Sequence, residues 1–139
     1  MTTLKLGHHD VIFLQETHIS DEERAQKCRS DWDGMSFWGL GTQHSCGTAI
    51  LFDKKLDLKI KNYFSHPNGR ITLIECSIDE QTYTFLNIYA PNVTKPRNEF
   101  FKIVGSHLEA CNGTIVVGGD FNCVEDLLLD KTYKSKRVE

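Results

Sequence analysis

Five short runs of apolar, β-branched and aromatic residues, at residues 10–15, 47–53, 70–78, 82–89 and 114–117, most constrain what this chain can fold into. Runs of this length bounded by polar and turn residues read as strands, and the continuous ones, such as Val11-Ile12-Phe13-Leu14, suit strands covered on both faces. Leu56, Leu58 and Ile60 alternate with Asp57, Lys59 and Lys61, the pattern of a half-exposed strand. Pro67-Asn68-Gly69 is a turn signal after it, and Asp79-Glu80-Gln81 is a polar turn between the two runs that follow. The middle of the chain therefore reads as an antiparallel meander, and a brief further strand fits around Phe37.

Two segments carry helical signals instead. Ser20 and Glu23 have capping-box spacing, which predicts a short helix running through Cys28. After Pro96, the residues Phe100, Ile103, Val104, His107, Leu108 and Cys111 share one helical face, and Asn112-Gly113 ends the pattern. Strands in runs with helices between some of them predict a mixed α/β or α+β fold, with sheets covered by helices. No repeat, low-complexity tract or linker divides the 139 residues, so residues 1–139 read as one domain. With 40% apolar residues it can bury a core without disulfide or metal staples.

Charge and cysteine usage narrow the function classes. The net charge is −3, so no global positive field draws the chain to a polyanion. Basic residues cluster only at Lys54, Lys55, Lys59 and Lys61 and at Lys131, Lys134, Lys136 and Arg137, and such runs are usually solvated faces. The five cysteines are odd in number and lack Cys-x-x-Cys spacing, against both a disulfide framework and a zinc ribbon. No apolar run approaches the roughly 20 residues of a membrane span, and residues 1–9 lack the apolar stretch of a signal peptide. These features lead us to expect a soluble protein of the nucleus or cytoplasm, with no membrane partner. Asn92-Val93-Thr94 and Asn112-Gly113-Thr114, two glycosylation-like triplets, then carry no meaning.

The chemistry-bearing residues sit directly after strands. Gln15-Glu16-Thr17-His18 follows Val11 to Leu14, Tyr89-Ala90-Pro91-Asn92 follows Thr82 to Ile88, and Gly119-Asp120-Phe121-Asn122 follows Ile115 to Val117. Polar groups at the carboxyl ends of buried strands are held by rigid elements and open onto crevices where ligands bind. Carboxylates from two strands can share a hard divalent cation, which takes oxygen ligands and keeps waters. Each cluster alone also has a plainer reading. Glu16 can cap a helix, Asp120 and Asn122 can form an Asx-turn, Asn92 can be a turn former, Tyr89 a core aromatic, and His18 a surface histidine.

Taken in order with Gly69-Arg70-Ile71, these clusters resemble the endonuclease/exonuclease/phosphatase superfamily, over nearly the whole chain from about residue 4 to residue 130. Within it, Leu14-Gln15-Glu16-Thr17-His18 and Tyr89-Ala90-Pro91-Asn92 are similar to the endonuclease domain of LINE-type retrotransposon polyproteins, with apurinic repair endonucleases as near relatives. The resemblance implies a two-sheet β-sandwich flanked by helices and a metal-dependent phosphodiesterase that nicks DNA. It implies Glu16 as the ligand of magnesium, or of manganese in its place. Asp120 would orient or deprotonate the attacking water, and Asn122 would hold the phosphate and that aspartate. Tyr89 would donate a hydrogen bond toward the phosphate or the leaving oxygen, with Asn92 supporting the same surface. A cation and donors fixed in advance stabilise the negative charge gained by the phosphate in the transition state.

Two features of the family pattern have no counterpart here. Residues 1–9 contain no asparagine to match the family's first-strand metal ligand, and no Ser-Asp-His follows Asn122. The resemblance thus implies a copy incomplete at both ends, lacking the first strand and the C-terminal strands, with exposed sheet edges and impaired catalysis. Two other readings stay open: a non-catalytic remnant serving as a binding module, and a phosphoesterase of the same fold acting on a phosphorylated lipid, an inositol or an RNA tail.

Overall fold

The computed structural model describes residues 2–6, 9–42, 45–66 and 68–122. The basic cluster at Lys131, Lys134, Lys136 and Arg137 lies outside them, as do Cys123 and Pro67. The elements run β1 (Thr2–Leu6), β2 (His9–Gln15), α1 (Glu22–Asp31), β3 (Ser36–Gly39), β4 (Thr48–Phe52), β5 (Leu58–Ser65), β6 (Ile71–Ile78), β7 (Gln81–Tyr89), α2 (Thr94–Glu109) and β8 (Thr114–Asp120). They form two four-stranded sheets, ordered β1-β2-β4-β3 and β5-β6-β7-β8. Every pairing is antiparallel except β7 with β8, which are parallel and joined through α2. A parallel pair needs such a crossover because a tight turn cannot bring the chain back to the same end. None of the described helices is long and apolar enough to cross a membrane.

Side-chain alternation explains the layers. On β2, Val11 and Phe13 are fully buried in the cluster between the sheets, with Ile50 and Phe52 of β4 beside them. Ile74, Cys76 and Ile78 of β6, Phe85 of β7 and Val116 of β8 meet them from the second sheet. The alternate residues face outward and are covered by helices. Ile12, Leu14, Ala49 and Leu51 cluster with Ala25 and Cys28 of α1, while Ile71, Leu73, Leu86 and Ile88 pack against Phe100 and Val104 of α2. The two-sheet sandwich with flanking helices is therefore the architecture observed, and its runs read as continuous because both faces are covered.

Some details differ from the sequence reading. The α1 cap is Asp21, whose side chain accepts from the Arg24 N–H at 2.8 Å, and not Ser20; the helix also runs on to Asp31. Adjacent cap-forming residues compete, and the carboxylate gains more from the helix dipole. The helical face on α2 is narrower than its periodicity suggests, since Ile103 is exposed. Thr114 and Ile115 are also exposed at the start of β8, which continues to Asp120. A strand at Thr2–Leu6, absent from the sequence reading, pairs antiparallel with β2 and places Thr2 opposite Phe13. Its short, partly polar run carries no buried-strand signal.

Candidate active site

The alternation that fills the core with aromatics delivers polar groups to one end of it. Along β7, Phe85, Asn87 and Tyr89 follow one another on the inner face, so the strand passes from apolar interior to polar rim. Parallel pairing sets Tyr89 beside Asp120, the last residue of β8. From the other sheet, β2 ends at Gln15, and the Tyr89 hydroxyl donates to Oε1 of Glu16 at 2.8 Å. Three strands from two sheets thus bring Glu16, Tyr89 and Asp120 to one rim.

Glu16 is exposed and adopts a positive φ of 54°, and His18 a φ of 57°. Left-handed backbone costs a non-glycine residue roughly 1–2 kcal/mol. It is held here by two successive bonds, from the Thr17 N–H to Gly47 O at 3.2 Å and from the His18 N–H to Cys46 O at 3.1 Å. The segment after β2 thereby stays attached to the chain leading into β4 while the Glu16 side chain turns toward Tyr89. Nε2 of His18 is buried without a hydrogen-bond partner, so this histidine is not the simple surface residue of the plainer sequence reading.

Tyr89 is gripped from both sides. The Arg70 guanidinium lies 5.0 Å from its ring centroid and donates to its carbonyl at 2.9 Å, giving the Arg70 of the Gly-Arg-Ile motif a structural task. Desolvation, followed by the hydrogen bond to and charge of Glu16, pushes the phenol from 10.0 up to about 12, with Arg70 pulling the other way. The phenol is therefore a proton donor throughout the neutral range. Because its folded pKa is raised, the stability it contributes is whole below pH 10 and is lost as the pH rises through about 12. Ultraviolet titration should find one tyrosine near that upper value. Glu16→Gln should lower its midpoint without returning it to 10.0, because desolvation, the largest cause, remains.

The turn after β8 is built by its own side chains. The Asn122 N–H donates to Asp120 Oδ1 at 3.0 Å, the Asx-turn that the plainer sequence reading allowed. Asn122 also donates from its carboxamide to the Ala90 carbonyl, and the Ala90 N–H donates to Asp120 O at 2.8 Å. Arg97, on the first turn of α2, donates to the Asn122 carbonyl. No motif singled out Arg97, whose role depends on the crossover that returns α2 to this turn. These bonds orient the Asp120 carboxylate and leave it exposed. Asn92 stands apart from them, exposed and lining a neighbouring cleft of about 440 Å³ with His66, Asn68, Arg70 and Phe100.

Among the described residues, no three of His, Cys, Asp and Glu stand together in a cluster that could hold an ion. The chemistry of the donors suits a hard cation that keeps most of its waters, which needs only one or two carboxylates, and does not suit a metal requiring several nitrogen or sulfur ligands. Glu16 fits that requirement, since Tyr89 engages only Oε1.

Residues 3–131 match the model of the endonuclease/exonuclease/phosphatase family. The chain is 30% identical over 139 residues to the transposon TX1 uncharacterized 149 kDa protein of Xenopus laevis, of which it spans 10%. Among solved structures it is similar to D. rerio TDP2 complexed with a single-strand DNA product, with a TM-score of 0.61 and 17% identity, over 81% of this chain and 47% of that one. TDP2 from C. elegans aligns with a TM-score of 0.51 and 22% identity, over 81% of this chain and 37% of that one. The chain thus spans a tenth of the curated relative and less than half of these structures, and the structural likenesses speak for the fold.

Proposed function

Since this chain belongs to the endonuclease/exonuclease/phosphatase family, we propose that it is the catalytic part of a metal-dependent, DNA-nicking phosphodiesterase of retroelement origin. The observation that carries this reading is the meeting of Glu16, Tyr89 and Asp120 where β2, β7 and β8 end. The transposon relative supports a retroelement origin. The D. rerio TDP2 complex with single-strand DNA supports a nucleic-acid substrate, which would place the protein's work inside the cell.

In this reading Glu16 holds magnesium, or manganese, through the oxygen that Tyr89 leaves unengaged. When bound, the cation offsets negative charge on the phosphate oxygens. Tyr89, kept protonated, turns its single hydroxyl proton from Glu16 to the phosphate or the leaving oxygen when substrate is bound. Asp120, fixed by the Asn122 N–H, accepts a proton from the attacking water or orients it, with Asn122 steadying both carboxylate and phosphate. Asn92, in the adjoining cleft, contacts the strand beside the scissile phosphate. Because these side chains already stand at one rim, little reorganisation is needed as negative charge develops on the phosphate.

Supercoiled plasmid incubated with the chain tests this. Open-circular product that forms only slowly with magnesium, in keeping with the impaired catalysis the incomplete motif set implies, is suppressed by a chelator and disappears with Glu16→Ala is the expected result. Binding of single-stranded DNA without cleavage at any magnesium or manganese concentration would sink the enzymatic reading in favour of a binding module.

A further inference from the structure

One rung below the Glu16–Tyr89 contact, four polar side chains cross a core that is otherwise apolar. Gln15 is paired with Thr48 in the first sheet, and Thr72 with Asn87 in the second. Across the gap between the sheets, Gln15 Nε2 donates to Asn87 Oδ1 at 2.9 Å, and the Thr48 and Thr72 hydroxyls bond at 2.6 Å. Asn87 is fully buried, and its carboxamide nitrogen also donates to Leu14 O and Ala49 O, each at 2.8 Å. Two strands of the facing sheet, β2 and β4, are thus tied to this one residue of β7.

A buried polar layer is a poor means of adding stability, because desolvating these groups costs about what their hydrogen bonds return. Apolar packing, by contrast, is non-directional and leaves two sheets about 10 Å apart with latitude to slide. A hydroxyl–carboxylate bond tolerates little slip. Gln15 immediately precedes Glu16, and Asn87 shares the inner face with Tyr89 two residues on. The 2.9 Å and 2.8 Å contacts are therefore successive rungs between the same two strands.

We propose that Gln15 and Asn87 are positioning residues, whose bond between the sheets sets the separation at which Tyr89 meets Glu16. The inference rests on the function proposed above for what that contact does in catalysis, but the contact itself can be observed without catalysis.

The test uses the chain labelled with ¹³C at tyrosine Cζ, whose shift reports the hydrogen bond of each phenol. Tyr63, donating to Trp38 O at 3.0 Å, is an internal reference away from the site. Glu16→Gln first marks where the Tyr89 resonance moves when the contact changes. Gln15→Met, of similar volume without the donor, should move Tyr89 toward that position and leave Tyr63 in place. Gln15→Ser, which admits water, should do the same and guards against misfolding. Thr72→Val removes a second bond between side chains across the gap and should leave Tyr89 where it is. In nicking, Gln15→Met should lower kcat on the order of 10-fold with KM nearly constant, the signature of a misplaced group. An unmoved Tyr89 in both Gln15 variants, or Tyr89 and Tyr63 moving together, would overturn the proposal, as would an equal shift from Thr72→Val. A Tyr89 shift in a chain that never nicks would uphold the positioning and remove the phosphodiesterase reading instead.

Discussion

Nicking by the chain should fall on the order of 10²–10⁴-fold on Asp120→Ala, while DNA binding stays close to the unsubstituted level. Asp120 ends β8 beside Tyr89, and one oxygen of its carboxylate is engaged by the Asn122 N–H. That bond holds the carboxylate in one orientation, so the remaining oxygen is aimed without cost when a water must lose its proton. Alanine removes both acceptor oxygens and leaves only the cation and the Tyr89 donor. Asp120→Asn is the sharper probe, because its carboxamide oxygen can still accept from Asn122 but cannot take up a proton at neutral pH. It should therefore be nearly as slow as alanine while keeping the melting temperature. Single-turnover nicking at saturating magnesium separates these cases. A loss smaller than about threefold in both variants would move the proton-accepting role away from Asp120.

How much of this site was legible follows from what each residue's signal depends on. Glu16, Tyr89 and Asp120 were visible because each directly follows an apolar run, and a covered strand announces itself locally. Their convergence required the pairing of β7 with β8 and the stacking of the two sheets, which no single run encodes. Gln15 stands out in the sequence only as part of a motif, and Asn87, Thr48 and Thr72 read there as ordinary strand residues. An isolated polar residue in a strand reads as outward-facing, and its burial becomes evident only when register puts another polar group opposite. Arg97 was missed for a similar reason, since its partner is a carbonyl 25 residues away in sequence. The positive φ values of Glu16 and His18 left no trace in composition because neither is glycine. The early strand at Thr2–Leu6 was missed because it has no continuous apolar run.

Gly119→Ala should lower the melting temperature by roughly 10 °C, corresponding to on the order of 3 kcal/mol for a chain of this size. Gly119 has a φ of 126°, a region that side chains rarely enter, and a Cβ built there would sit 1.9 Å from the Ile88 carbonyl oxygen. Ile88 is its partner in the parallel ladder, so the obstacle is hydrogen-bonded backbone near the end of β7. Relief would have to push β8 away from β7 or twist the chain out of its left-handed turn. Either movement displaces Asp120, the next residue, from beside Tyr89. Nicking should accordingly fall with Gly119→Ala even at temperatures where the variant stays folded. Gly105→Ala is the control: a Cβ at that position in α2 meets nothing within 4 Å, and alanine there should stabilise the helix by about 0.5–1 kcal/mol. If Gly119→Ala melts within about 3 °C of the unsubstituted chain and nicks at its rate, the close approach of β7 and β8 does not aim Asp120.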